Sequence, residues 1–204
     1  LEGGDGNDRL IAGGVLDVLS GGAGNDTMDL GALADLSGFT VDGGDGFDVA
    51  DLAGGDVQLG ATQPGFVGIE ALEVGGTVLR GTANADDYDF SVFESRVGGV
   101  AGRLTLRAGA GADTLRAGDV GGGDLAGEDG EDVLIGGAAA DVLSGGNDND
   151  LLQGGGGADS LDGGAGANTL EGGDGNDRLI AGGVLDMLSG GAGDDTMDLG
   201  ALAD

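Results

Sequence analysis

Residues 127–198 read GEDGEDVLI GGAAADVLS GGNDNDLLQ GGGGADSLD GGAGANTLE GGDGNDRLI AGGVLDMLS GGAGDDTMD, which is eight nine-residue units without a break. Each unit is built on the pattern Gly-Gly-x-Gly-x-Asp-x-apolar-x. Three more units in the same pattern occupy residues 3–29. A short fixed period of this kind indicates a solenoid, in which each repeat stacks on its neighbours.

A second, longer period is superimposed on the first. Residues 1–35 recur as residues 170–204, with only Val18 (Met187 in the second copy) and Asn25 (Asp194) changed. The chain therefore holds one unit of about 169 residues and the start of the next. We expect it to be a piece of a tandem array, with neighbouring copies of the same repeat as its partners in the parent chain.

The nine positions divide into a turn and a strand. Glycine at positions one, two and four is expected to allow positive φ in a tight turn with inward carbonyl oxygens. Positions seven to nine form a short strand in which position eight faces the core. That position is always apolar: Leu134, Leu143, Leu152, Leu161, Leu170, Leu179, Leu188, Met197, Leu10, Leu19 and Met28. Because each unit reverses the chain, one coil needs two units.

The turns offer oxygen atoms and little else. Carbonyl groups and the carboxylate at position six are the hard ligands that calcium prefers, six to eight at a time. The chain also has 38 acidic residues against 7 arginines and a net charge of -31. So much like charge keeps a chain expanded until cations neutralise it. The sequence therefore predicts folding around several Ca2+ ions.

These units closely resemble the RTX (repeats-in-toxin, hemolysin-type) calcium-binding nonapeptide family of secreted bacterial proteins. The resemblance implies an all-β fold, a parallel β-roll or β-helix solenoid with calcium ions bound in the turns. It also implies that the position-six carboxylates and the turn carbonyls are the ligands. These carboxylates belong to Asp8, Asp17, Asp26, Asp132, Asp141, Asp150, Asp159, Asp177, Asp186 and Asp195.

Several units depart from the pattern. Asn168 stands at position six of one unit and offers a neutral oxygen, while Val15 and Val184 replace the fourth-position glycine in two others. We expect calcium in the turns that hold the two valines to be weak or missing. Isolated matches from Gly43, Gly81 and Ala108 add three predicted ligands: Asp48, Asp86 and Asp113.

The period is lost in the middle of the chain. We predict a β-roll over residues 1–29, an irregular β-solenoid or inserted β segment over 30–107, and a second β-roll over 108–204. All six aromatic residues fall in the middle segment: Phe39, Phe47, Phe66, Tyr88, Phe90 and Phe93. Longer strands that extend one solenoid are favoured there, and a small inserted β-sandwich would give the same alternation.

The composition excludes several functions. No His, Cys or Lys is present, so catalysis through a Ser-His-Asp or Cys-His arrangement or a zinc-binding helix is excluded. We expect no enzyme activity in this chain. The scarcity of basic residues argues against nucleic acid as a partner. No apolar run approaches the roughly 20 residues of a membrane-spanning helix.

Two functions fit what remains. Nearly identical long units resemble the extender region of a large RTX adhesin that is secreted to the bacterial cell surface and folds on meeting extracellular calcium. Alternatively, the chain resembles a calcium-dependent polysaccharide-binding accessory module of a secreted enzyme such as an alginate epimerase, with Arg103 and Arg107 in the binding patch. A polysaccharide or host surface is thus a possible further partner.

Overall fold

The fold is known from a computed structural model. It describes residues 1–14, 17–31, 35–36, 39–52, 56–59, 65–67, 69–73, 77–90, 94–97, 100–183 and 185–200. Within these ranges the chain forms strands and turns and no helix, which confirms the all-β prediction.

The strands are short and follow one another at close intervals. The first half of the chain contains β1 (Glu2–Asp5), β2 (Arg9–Ile11), β3 (Val18–Ala23), β4 (Thr27–Asp29), β5 (Thr40–Asp45), β6 (Val49–Asp51), β7 (Asp56–Gln58), β8 (Gly65–Val67), β9 (Ala71–Glu73), β10 (Val78–Arg80), β11 (Asp87–Asp89), β12 (Glu94–Val97) and β13 (Val100–Ala101). The second half contains β14 (Leu104–Ala110), β15 (Thr114–Arg116), β16 (Gly123–Asp129), β17 (Val133–Gly137), β18 (Val142–Asn147), β19 (Leu151–Gly156), β20 (Ser160–Ala165), β21 (Thr169–Asp174), β22 (Arg178–Ile180), β23 (Met187–Ala192) and β24 (Thr196–Asp198).

The second half is a two-sided parallel β-roll. Strands β14, β16, β18, β20, β22 and β24 lie side by side in one sheet, and β15, β17, β19, β21 and β23 lie in another. From β16 onward each strand pairs with the strand 18 residues further on, for example Leu143 with Leu161 and Leu152 with Leu170. One coil is therefore two nonapeptides, as the sequence predicts. Residues at equal positions stack about 4.8 Å apart.

A single file of apolar side chains fills the roll. Leu134, Leu143, Leu152, Leu161, Leu170 and Leu179 have no exposed surface, which confirms position eight as the core position. The prediction is wrong for Met197, whose surface is 45% exposed, and Leu188 is only partly buried. Both belong to the last strands of the stack, β23 and β24, and no described coil lies beyond them to cover their side chains.

The middle of the chain keeps the parallel pairing but changes the size of the coil. The paired residues are 22 apart from Val41 back to Leu19, 25 apart from Val41 to Phe66, and 27 apart from Leu79 to Leu106. Each of these coils gains a third short strand, as in the succession β5, β6 and β7. The expectation of longer strands is therefore wrong, because the extra residues form an additional side of the coil.

The apolar core runs through all of these coils as one cluster, from Leu10 to Leu179. A coil with three sides encloses a wider cross-section than a coil with two, and larger side chains are needed to fill it. Phe39, Tyr88 and Phe90 are buried there. β14 starts in this part of the chain and pairs with β10 on one side and β16 on the other.

We predict that shortening one rung of the ladder destabilises the roll. Leu152→Ala removes a side chain with no exposed surface and should lower the free energy of unfolding by about 2 to 5 kcal/mol. Met197→Ala is the matched control and should change it by no more than about 0.5 kcal/mol, since Met197 lies at the open end. Urea denaturation in saturating calcium measures both. Equal losses in the two variants would contradict a core built from position eight.

Candidate calcium sites in the turns

The glycines of the turn have two different tasks. Positions two and four take positive φ, as at Gly155 (φ 101°) and Gly157 (φ 109°). Position one does not, so that part of the expectation is wrong. A Cβ added to Gly3, for example, would lie 2.6 Å from the carbonyl oxygen of Gly21 and 2.8 Å from Oδ2 of Asp8. Glycine at position one therefore keeps open a space between a carboxylate and the carbonyl of the next coil.

The position-six carboxylates form rows along the edges of the solenoid. Oδ1 of each accepts a hydrogen bond from the main-chain N–H of the position-six residue one coil earlier. Asp132 donates to Asp150 over 2.9 Å and Asp141 donates to Asp159 over 2.8 Å. One row joins Asp8, Asp26 and Asp48. A second runs from Asp86 through Asp113, Asp132, Asp150 and Asn168 to Asp186, and a third from Gly123 through Asp141, Asp159 and Asp177 to Asp195.

The second oxygen of most of these carboxylates is buried and has no partner within the protein. This holds for Oδ2 of Asp8, Asp26, Asp48, Asp113, Asp132, Asp141, Asp150, Asp159 and Asp177. A buried carboxylate oxygen without a hydrogen bond or a counter-charge costs several kcal/mol. Nine of them in register mean that the folded chain needs cations at these positions.

The donor set fits calcium. Each bare Oδ2 lies beside the open space at position one, which the carbonyl of the next coil also faces, as at Gly3, Asp8 and Gly21. In the described part of the chain no three acidic side chains gather into a metal-binding cluster. Main-chain carbonyls must therefore complete each coordination shell, and calcium accepts such mixed oxygen shells. A bound ion would supply the positive charge that lets these carboxylates stay ionised inside the fold.

Three of the thirteen predicted ligands are arranged differently. Oδ2 of Asp17 accepts hydrogen bonds from the N–H groups of Gly13 and Gly14. Oδ2 of Asp186 accepts one from Gly183, and both oxygens of Asp86 are hydrogen-bonded to Thr82. These carboxylates have main-chain or hydroxyl partners where the other buried carboxylates have a bare oxygen.

The position of Asp17 and Asp186 bears on the two altered units. Both follow a valine at position four, and Val15 and Val184 lie outside the described residues. The glycine N–H groups of these turns, at Gly13, Gly14 and Gly183, point at the carboxylate and take the place of a cation. This agrees with the expectation of weak or missing calcium there, which stays a prediction.

Asp195 has the geometry of the regular ligands, although it is less buried. Its Oδ1 accepts the N–H of Asp177. A Cβ on Gly190 would collide with its Oδ2, as in the other position-one spaces. Asn168 keeps the structural half of the task, because its Oδ1 accepts the N–H of Asp150 while its amide nitrogen contacts the carbonyl of Gly164.

Sequence analysis missed a ligand-like residue in the irregular middle. The N–H of Asp48 donates to Oε2 of Glu70 over 2.7 Å, so Glu70 continues the row after Asp48. Residues 65–73 read GFVGIEALE, with glycine at positions one and four, glutamate at six and leucine at eight. A search that allowed glutamate at position six would have found this unit.

A second row that the sequence analysis missed lies at position five. Oδ1 of Asn7 accepts the N–H of Asn25, and Oδ1 of Asn149 accepts the N–H of Ala167. Asn25 and Asn176 do the same for Phe47 and Asp194. These amides tie successive turns together without a metal ion, and the recurrence of Asn at position five was the signal for them.

Burial also changes the acidity of the row. It raises the pKa of Asp113, Asp141 and Asp159 to about 6 and that of Asp150 to about 7, and neighbouring carboxylates add to the effect. The pKa values of Asp48 and Asp132 are raised for the same reason. The main-chain hydrogen bond to each Oδ1 opposes the rise. Without metal, part of the row is therefore protonated near neutral pH.

Comparison with known families gives one match. The model of the RTX calcium-binding nonapeptide repeat matches residues 2–36, 105–119, 120–152, 153–186 and 172–204, together more than half of the chain. No curated protein matches it. Within the described ranges there is no helix long and apolar enough to cross a membrane.

We predict that the bare oxygen of Asp159 is needed for tight calcium binding. Asp159→Asn keeps the acceptor for the N–H of Asp141, as Asn168 does for Asp150, and removes the negative charge. The calcium concentration at the folding midpoint should rise about threefold or more. Asp174→Asn, at an exposed third position, removes the same charge and serves as the control. Circular dichroism follows both titrations, and equal shifts would show that only net charge matters.

We predict that calcium affinity falls in acid. The buried aspartates have pKa values raised from 3.8 to about 6 or 7, so the metal-free fold is most stable below about pH 4 and loses this contribution as pH rises through 6 to 7. Calcium binds the ionised form and must displace these protons. The folding midpoint should require at least about tenfold more calcium at pH 5.5 than at pH 7.5. A calcium midpoint that does not change with pH would contradict this account.

Proposed function

Since this chain belongs to the RTX calcium-binding nonapeptide repeat family, we propose that it is a structural extender repeat of a large bacterial adhesin. In this proposal the parent protein is secreted, folds on extracellular calcium and stands on the cell surface. The repeat lengthens and stiffens the stalk and has no catalytic role. Calcium and neighbouring copies of the repeat are its partners.

The observation that carries the proposal is the behaviour of the 35-residue block that occurs twice. In the first copy, β2, β3 and β4 have bounds that reappear 169 residues later as β22, β23 and β24. The pairing is also the same: Gly4 with Gly22 in the first copy and Gly173 with Gly191 in the second. The first copy is followed by the coils of the middle, and the second copy is preceded by the regular roll.

The two copies together describe how a tandem array continues. The first copy supplies the coil that follows the block, where Val18 pairs with Thr40 and Met28 with Ala50. The second copy ends with Met187 and Met197 exposed, at the positions where those contacts would form. A following unit can therefore stack directly on β23 and β24 and bury these side chains.

The length of one repeat follows from the strand register. Leu10 leads through Met28 to Ala50 in two steps, and Val57, in the same coil as Ala50, leads to Leu179 in six. Leu179 is the counterpart of Leu10 in the next unit. Eight steps of about 4.8 Å give a rise of roughly 38 Å for each repeat. An uninterrupted stack of this kind suits a spacer.

Calcium dependence suits export. A chain with a net charge of -31 and nine bare buried carboxylate oxygens has little reason to fold where free calcium is scarce. Outside the cell, at calcium concentrations of about 1 mM, ions that bind only the folded form shift the equilibrium toward it. The chain could thus leave the cell unfolded and become rigid on arrival.

The arginines favour the extender over a polysaccharide-binding module. Arg107 forms an ion pair with Asp124 at 2.9 Å and Arg116 one with Asp87 at 3.5 Å, each across neighbouring coils. Arg103 donates to two main-chain carbonyls. These guanidinium groups are engaged within the solenoid, which leaves them less available for an anionic glycan.

We predict that each added repeat lengthens the protein by a fixed amount. Chains of one, two and three 169-residue units in calcium should differ in maximum dimension by about 38 Å per unit in small-angle X-ray scattering. In EDTA the same chains should expand and lose this regular increment, because the like charges repel. A calcium-loaded increment much below about 38 Å, or dimers that fold back on themselves, would contradict the extender role.

A further inference from the structure

The third row of aspartates has a defined beginning. It contains Asp141, Asp159, Asp177 and Asp195, and its first member accepts the N–H of Gly123. Residues 118–126 read GDVGGGDLA, in register with the nonapeptides that follow, so Gly123 stands at position six. The coil below Asp141 therefore lacks the carboxylate that every later coil on this edge supplies.

An arginine lies at this place. Arg103 donates from Nη1 to the carbonyl oxygen of Gly123 over 2.7 Å and from Nη2 to that of Ala140 over 2.9 Å. Gly123 and Ala140 belong to consecutive coils of the same edge, and Ala140 directly precedes Asp141. One guanidinium group thus joins the turn that has no carboxylate to the turn that begins the row.

The chemistry of the two partners explains the choice of arginine. A calcium ion between these coils would have one carboxylate fewer than in the regular turns, and its affinity depends on the number of charged ligands. A guanidinium group is always charged and presents several N–H donors in a planar fork, so it can satisfy two carbonyl oxygens at once. It also needs no ion from solution.

We propose that Arg103 is a built-in cation that takes the place of calcium between the coils of residues 118–126 and 136–144. It closes the row on this edge at the point where position six has no carboxylate. The junction is then held by the chain itself, while the coils beyond it are held by metal. This proposal rests on the calcium-binding nature of the repeats and is independent of the extender role.

The test is hydrogen exchange by mass spectrometry on the whole 204-residue chain in saturating calcium. In Arg103→Met, exchange of the amides in residues 118–126 should become about tenfold faster, since a hydrogen-bonded charge is lost from this junction. Arg107→Met is the matched control, because it removes the same charge from a side-chain ion pair one strand position away. It should change exchange in 118–126 by less than about threefold. Arg103→Lys, which keeps the charge without the fork, should fall between the two.

Native mass spectrometry of the same samples counts the bound ions. An unchanged count with faster exchange supports the proposal, and so does one additional ion in Arg103→Met with exchange restored, since calcium then occupies the vacated place. Exchange in Arg103→Met no faster than in Arg107→Met would overturn it. A count lower than that of the unchanged chain would also overturn it, because Arg103 would then support a calcium ion and would not replace one.

Discussion

The structure depends on carboxylates that are buried in register. Oδ1 of each position-six aspartate accepts a main-chain N–H from the coil before, and this bond sets the height of one turn on the next. Oδ2 of the same residue faces the space kept by a position-one glycine. The hydrogen bond orients the carboxylate but leaves its charge inside the fold. Cations are therefore part of the fold, because nothing else in the regular roll can offset that charge.

The apolar core complements this arrangement. In the roll each nonapeptide contributes one leucine or methionine, such as Leu143 or Leu161, and a file of single side chains buries little surface. Where the coils widen to 22 residues or more, the aspartate rows are less regular and aromatic side chains enter the core. Tyr88 illustrates the change: it is buried and hydrogen-bonded to Asp86, so burial and that carboxylate raise its pKa. Side-chain volume thus takes over part of the task that falls to metal in the regular coils.

The interactions that do not need calcium are spread along the chain. Asn7, Asn25, Asn149 and Asn176 connect turns through neutral amides. Glycine N–H groups contact the carboxylates of Asp17 and Asp186. Arg107 and Arg116 pair with aspartates on the neighbouring coil. A rod built this way has metal-dependent and metal-independent junctions in a defined order, so its coils need not all respond to calcium at the same concentration.

The sequence by itself determined the parts of this protein that repeat. A strict period of nine with glycine, aspartate and leucine at set positions specifies the two-unit coil, the core position and the carboxylate row, because each depends only on residues 9 or 18 apart. The tertiary structure alone decided the rest. Which carboxylate oxygens are bare depends on the turn stacked against them, as the contrast between Asp159 and Asp86 shows. The third strand, the place of Glu70 and the contacts of Arg103 join residues at irregular separations, and no local pattern encodes a contact whose partner lies at an unpredictable distance along the chain.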